Sequence, residues 1–186
     1  MKGYIGWVNK MDEEKELVIK AKQGDKNSFE KLILKYAKGL YGFVFNMVKQ
    51  EQVAQDVVQE TFFKAFTNLH SFNINMIFST WIYTIAKNST LNYIKANKKY
   101  VFEAVDERGS DFNNPEAVFI NNETSKSLVK AIDMLSKKHS TLIYLKYINK
   151  LSYEEISSTL NIPKSIVESR LYTARQKLSI LLSEGR

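Results

Sequence analysis

Residues 151–178, LSYEEISSTLNIPKSIVESRLYTARQKL, constrain the fold more than any other stretch, because they encode two helices with almost no chain between them. Ser152 followed by Glu155 is a capping box, in which the hydroxyl accepts from a backbone N–H and the carboxylate reaches back to the cap. Ile156 and Leu160 then fall on one helical face. Asn161 tolerates a positive φ and suits a helix C-cap. Pro163, with its fixed φ and no N–H, fits the first turn of a new helix. One helix ends and another begins within about three residues, which is a helix-turn-helix.

At about 100° per residue, Val167, Leu171, Ala174 and Leu178 share one stripe of the second helix, which must be the buried one. The other side carries Ser165, Ser169, Tyr172, Thr173 and Gln176, flanked by Lys164, Glu168 and Arg175, with Arg170 on the far shoulder. An isolated polar helix face is ordinarily just solvated. Here the cap, the tight turn and the outward set of hydroxyl, aromatic and cationic groups together favour a helix that reads base edges and phosphates in a major groove.

The rest of the chain is also helical in pattern. Two prolines and seven glycines in 186 residues leave long helices few interruptions, and 44% hydrophobic content supplies a core. EKELVIKAKQGDKNSFEKLILKYAKGLYGFVFNMVKQ predicts two helices broken at Gly24-Asp25, with Phe29, Leu32, Ile33, Tyr36 and Leu40 at helical spacing. EQVAQDVVQETFFKAFTNLHSF predicts a third and IFSTWIYTIAKNSTLNYIKANKK a fourth. Leu128, Ala131, Ile132 and Leu135 mark another, and STLIYLKYI one more. The expected fold is all-α, two helical domains over 12–100 and 124–186 joined by a linker over 101–123.

Charge supports that division. The net charge is +7, with +6 in residues 1–100, −5 in 101–123 and +6 in 124–186. Two basic bodies joined by an acidic strap suit two polyanion-binding domains. No apolar run approaches the ~18 residues of a membrane span, so no direct membrane insertion is expected. The absence of cysteine excludes disulfides and thiolate metal sites and fits a reducing cytoplasm. His70 and His139 lie far apart and read as surface or packing residues. No metal or cofactor is expected.

The fourth helix carries a second signal. Trp81, Thr84, Asn88, Asn92, Lys95 and Lys99 recur at spacings of 3, 4, 4, 3 and 4. They form one stripe that is aromatic, then amide, then cationic. Amides beside an indole can hold an unstacked base, and lysines can hold phosphates. The competing reading places Trp81 in the core.

With both ends read, the chain resembles an extracytoplasmic-function sigma factor, the small two-domain class of RNA polymerase specificity subunit. The resemblance covers roughly residues 13 to 183 and rests on QDVVQETFFKAF, FSTWIYTIAKN and LSYEEISSTLNIPKSIVESRLYTAR in that order. SFNINMIFSTWIY is most similar to the sigma W-like envelope-stress subgroup. The resemblance implies that Asp56, Val57, Gln59, Glu60 and Phe63 dock on a coiled coil of core polymerase. Acids and an amide beside apolar residues on an exposed helix do suit a basic protein helix better than DNA. It implies that the loop Ser71 to Ile77, with Trp81, Thr84, Asn88, Asn92 and Lys95, opens the minus-ten element and captures a flipped base. It assigns the minus-35 element to Lys164, Ser165, Glu168, Ser169, Arg170, Tyr172, Thr173 and Arg175. The acidic linker matches the segment threaded through the polymerase's RNA path, and a membrane-anchored anti-sigma factor is implied as a partner.

The departures are specific. Glu168 stands where the family usually has a base, and Thr173 where it often has Arg. Met76 and Ile77 replace residues that are usually polar or charged. Residues 1–10 fall outside the resemblance, and Met11 directly precedes DEEKEL, whose acids suit a helix N-terminus. The function expected is promoter-specific transcription initiation in a stress response, with no covalent chemistry. A stand-alone helix-turn-helix regulator is the alternative, and no heptad seam for its usual dimer is present. An enzyme is disfavoured, because the acids lie mainly in the linker and at helix caps.

Overall fold

The structure is a computed structural model that describes residues 13–97 and 123–184. Helix α1 covers residues 13–22 and turns at Gly24, whose φ of 96° only glycine adopts without strain. Asp25 then caps α2 (Lys26–Val48), accepting from the Asn27 amide at 3.1 Å and from the Ser28 hydroxyl at 2.6 Å. Helix α2 stops at Lys49, held at a φ of 56°. Helix α3 (Glu51–Asn68) ends in the short 3-10 turn Leu69–Ser71, and α4 (Phe78–Ala96) completes the N-terminal body.

The C-terminal body consists of α5 (Glu123–Asp133), α6 (Lys137–Ile143), α7 (Tyr153–Leu160) and α8 (Lys164–Glu184). Helix α6 runs on into a π-helical turn, Tyr144–Ile148, in which the Asn149 amide reaches back to the Tyr144 carbonyl at 2.9 Å. No strand occurs among the described residues, and the all-α expectation holds. The expected acidic linker lies outside the described residues apart from Glu123, where α5 begins.

Each body buries the predicted stripes. Phe29, Leu32, Tyr36 and Leu40 of α2 are buried, as are Val167, Leu171 and Ala174 of α8, while Leu178 packs at the core's edge. The two bodies also pack on each other. Helix α4 lies against α7 and α2 against α6, so the apolar core is continuous across the junction. The two histidines behave as surface and packing residues. His70 is exposed; His139 is buried, with Nδ1 3.1 Å from the Ser136 hydroxyl.

Candidate nucleic-acid interface

The helix-turn-helix forms through the local chemistry its sequence predicts. The Ser152 hydroxyl accepts from the Glu155 amide at 3.1 Å, and the Glu155 carboxylate accepts from the Ser152 amide at 2.8 Å. Asn161 ends α7 at φ 54° and ψ 50°. The Ser157 hydroxyl donates to the Ile162 carbonyl at 2.7 Å, a bond across the turn that no sequence pattern announced. The Pro163 carbonyl then accepts from the Ile166 and Val167 amides, so the proline sits one residue ahead of α8.

With Val167, Leu171 and Ala174 anchored at no more than 1% exposure, α8 turns its opposite face fully outward. Lys164, Ser165, Glu168, Ser169, Tyr172, Thr173 and Arg175 are exposed, and Arg170 is half-buried at the shoulder. Several of these groups already have partners. Thr173 Oγ1 donates to the Ser169 carbonyl at 3.1 Å, and Gln176 Nε2 donates to the Tyr172 hydroxyl at 2.9 Å. Lys164 Nζ pairs with Glu154 at 2.5 Å and stands 3.9 Å from Glu168. That hydrogen bond raises the lysine's pKa and lowers the glutamate's. Exposed pairs of this kind are worth little, so Lys164 can exchange its carboxylate for a phosphate.

The stripe on α4 divides in two. Asn88, Asn92 and Lys95 are exposed. Trp81 is half-buried, its ring centroid 4.7 Å from Phe72 and 5.5 Å from Phe78. Thr84 spends its hydroxyl proton on the Thr80 carbonyl at 2.7 Å. The upper part of the stripe is therefore an aromatic platform under the loop, and the lower part is the open polar face. Lys99 lies outside the described residues. The loop between the 3-10 turn and α4 has Phe72 and Phe78 in contact at 5.6 Å across its base. Lys22 Nζ donates to the Phe72 carbonyl at 2.5 Å, and the Asn75 amide donates to the Asn73 side chain at 3.0 Å. Asn73, Ile74, Asn75, Met76 and Ile77 are all exposed above it.

On α3, Asp56, Gln59, Glu60 and Phe63 form one exposed face, and Phe63 is 69% exposed. Val57 departs from the expectation, because at 3% exposure it is packed in the core. Its position about 100° from Asp56 turns it inward, so it supports this face from below and offers no contact. Gln52 joins the face by donating to Asp56 at 3.0 Å, a neighbour that the motif did not single out. Glu60 pairs with Lys64 at 2.5 Å, and Lys64 also donates to Ser89 of α4 at 3.0 Å.

These surfaces accompany clear similarities. Residues 32–100 match the family described as Sigma-70 region 2, and residues 125–178 match Sigma-70, region 4. The chain is 33% identical to the ECF RNA polymerase sigma factor SigW of Bacillus subtilis, over 88% of this chain and 94% of that protein. It is 31% identical to the RNA polymerase sigma-H factor of Pseudomonas aeruginosa, over 90% and 92% of the two chains. The sigma factor RpoE of Bartonella quintana, solved in complex with the anti-sigma factor NepR, has the same fold. The TM-score is 0.67 at 22% identity, covering 85% of this chain and 98% of that one.

Proposed function

The chain belongs to the extracytoplasmic-function sigma factors of RNA polymerase, and on that premise we propose that it directs promoter-specific transcription initiation through three separate surfaces. The observation that carries this reading is the outward placement of three chemically different faces on α3, α4 and α8 of one chain. Asp56, Gln59, Glu60 and Phe63 dock on core polymerase, an acidic and apolar patch suited to a basic helix. The loop above Phe72 and Trp81, with Asn88, Asn92 and Lys95, takes the minus-ten element. Hydrogen-bonding amides meet the unstacked base there, and the lysine meets the backbone. Ser165, Ser169, Arg170, Tyr172, Thr173 and Arg175 enter the major groove of the minus-35 element, with Lys164 and Glu168 at the rim.

The protein acts by binding alone. Opening a base costs a few kcal/mol, offset by contacts in the pocket. The domain limits that go with this reading are 12–100 and 124–186, with 101–123 between them. SFNINMIFSTWIY supports a sigma W-like, stress-responsive role, under a membrane-anchored anti-sigma factor acting on a cytoplasmic protein. No helix among the described residues is long and apolar enough to cross a membrane, and no group of three or more metal-ligating side chains occurs among them. Mobility-shift titrations with and without core polymerase test the reading. A shift specific to promoter DNA that needs core supports it. Tight duplex binding by the chain alone points instead to a stand-alone regulator.

A further inference from the structure

Helix α8 carries a single acid ahead of its last residue, and that acid is Glu168. It stands on the second turn, in the N-terminal part of the helix that a helix-turn-helix lays against base edges. The ordinary tasks of a surface glutamate do not account for it. Its side chain is 50% exposed, so it fills no core. It lies beyond the first turn, where a carboxylate complements the helix dipole. Its contact with Lys164 is 3.9 Å, longer than a hydrogen bond. That pair also has the weaker order along a helix, with the cation ahead of the acid. Lys164 has its close partner elsewhere, in Glu154 of α7 at 2.5 Å. The Glu168 carboxylate therefore keeps acceptor positions open to another donor.

On a face that meets DNA, every phosphate repels a carboxylate. The partner left to it is a base amino group on the floor of the groove. Guanine presents two acceptors there, and thymine one acceptor and a methyl. Adenine presents an amino group with the acceptor N7 beside it. Cytosine alone presents an amino group and no acceptor. Its edge attracts a carboxylate and has nothing to repel one. Glu168 lies about 60° around the axis from Ser165 and about 40° from Tyr172, so it approaches the groove from the rim of the same face.

We propose that Glu168 is a specificity-determining residue that selects one C·G pair in the minus-35 element by accepting from cytosine N4, while Lys164 leaves Glu154 for a neighbouring phosphate. The proposal rests on the minus-35 reading of α8 given above. The two side chains divide the labour. Lys164 adds attraction that carries no sequence preference, as phosphate contacts do. It also neutralises a charge that would otherwise push on Glu168. The glutamate works largely by rejection, because every other base at that position leaves its carboxylate desolvated against an acceptor.

Selection by the complete holoenzyme tests this. The chain is assembled with core polymerase and offered promoter duplexes randomised across the minus-35 element. The minus-ten region is fixed, taken from a start site that the chain itself selects. Bound duplexes are then sequenced. The unsubstituted chain should enrich cytosine on one strand at one position. Glu168→Ala should lower that preference at least about fivefold and leave the other positions unchanged. It should also bind random duplex as well or better, since a charge that repels phosphate is gone. Glu168→Gln should admit adenine at the same position, because an amide matches its N6 and N7. Both variants should melt as the parent does, the site being exposed. If Glu168→Ala keeps the cytosine preference or weakens every position alike, or if Glu168→Gln still rejects adenine, the proposal is overturned while the minus-35 role of α8 stands. If the unsubstituted chain enriches no sequence there, the reading of α8 itself falls, and this proposal with it.

Discussion

Replacing Gln59 and Glu60 together by alanine should separate polymerase docking from folding. Glu60 makes an i, i+4 pair with Lys64 at 2.5 Å, with side chains 47% and 42% exposed. An exposed pair of that kind is worth about 0.3–0.5 kcal/mol. Gln59 is exposed, and alanine has a slightly better helix propensity than either residue, which offsets part of the loss. The net change in stability should be within about 0.5 kcal/mol. For a chain of this length that moves the melting temperature by no more than about 2 °C. The loss at a polymerase interface is larger. A hydrogen bond to a charged group contributes about 1.5–3 kcal/mol, so affinity for core should fall by about tenfold to a hundredfold. Anisotropy titration of labelled protein with core polymerase, beside a thermal melt, measures both quantities. Unchanged affinity with unchanged melting refutes the docking role of this face. A melting temperature lowered by many degrees refutes the claim that these side chains carry no packing.

The two DNA-reading helices should fail differently. Asn88→Ala should lower open-complex formation about tenfold or more, since each lost base contact costs ~1–3 kcal/mol, and a premelted minus-ten region should not restore it fully. Arg175→Ala should weaken initial duplex binding to a similar degree on closed and premelted templates alike; permanganate footprinting beside a binding assay distinguishes the two. Leu171→Ala should cost about 2–5 kcal/mol, because Leu171 is 1% exposed beneath the recognition face, and chemical denaturation measures it. Burial, reinforced by Lys177, Lys138 and Arg170, holds the pKa of His139 below the usual histidine value. The folded state therefore favours the neutral ring. That contribution is complete above the unfolded pKa of about 6.5 and is lost as the pH falls through it towards the lower folded value. Melts between about pH 7.5 and pH 5.5 should show stability falling by up to about 1.4 kcal/mol per pH unit, a slope that His139→Gln flattens.

The parts of this molecule that local chemistry decides could be read directly. Ser152 and Glu155 form their capping box, Asn161 takes its left-handed cap, and the Val167, Leu171 and Ala174 stripe is buried. Each depends on neighbours within a few residues. Helical spacing also placed Asn88, Asn92 and Lys95 on one open face of α4. It could not assign Trp81 between base platform and core, because that depends on where Phe72 and Phe78 arrive. Val57 shows the limit of carrying over a motif as a block, since one of its positions points into the core. The π-helical turn at Tyr144–Ile148 and the reach of Asn149 to Gly39 left no mark in the pattern. Those residues are 110 positions apart, and nothing about a glycine inside a helix says which side chain will use the space.

Reconstituted transcription with core polymerase, followed by sequencing of the RNA 5′ ends, tests the central claim most directly. The account predicts that adding the protein to core yields transcripts from a discrete set of start sites, with shared sequence near minus-ten and minus-35. Asn88→Ala and Arg175→Ala should each lose those transcripts, with core alone giving none of them. Transcripts that start at the same positions with and without the protein, or a start-site set that both substitutions leave intact, would contradict it.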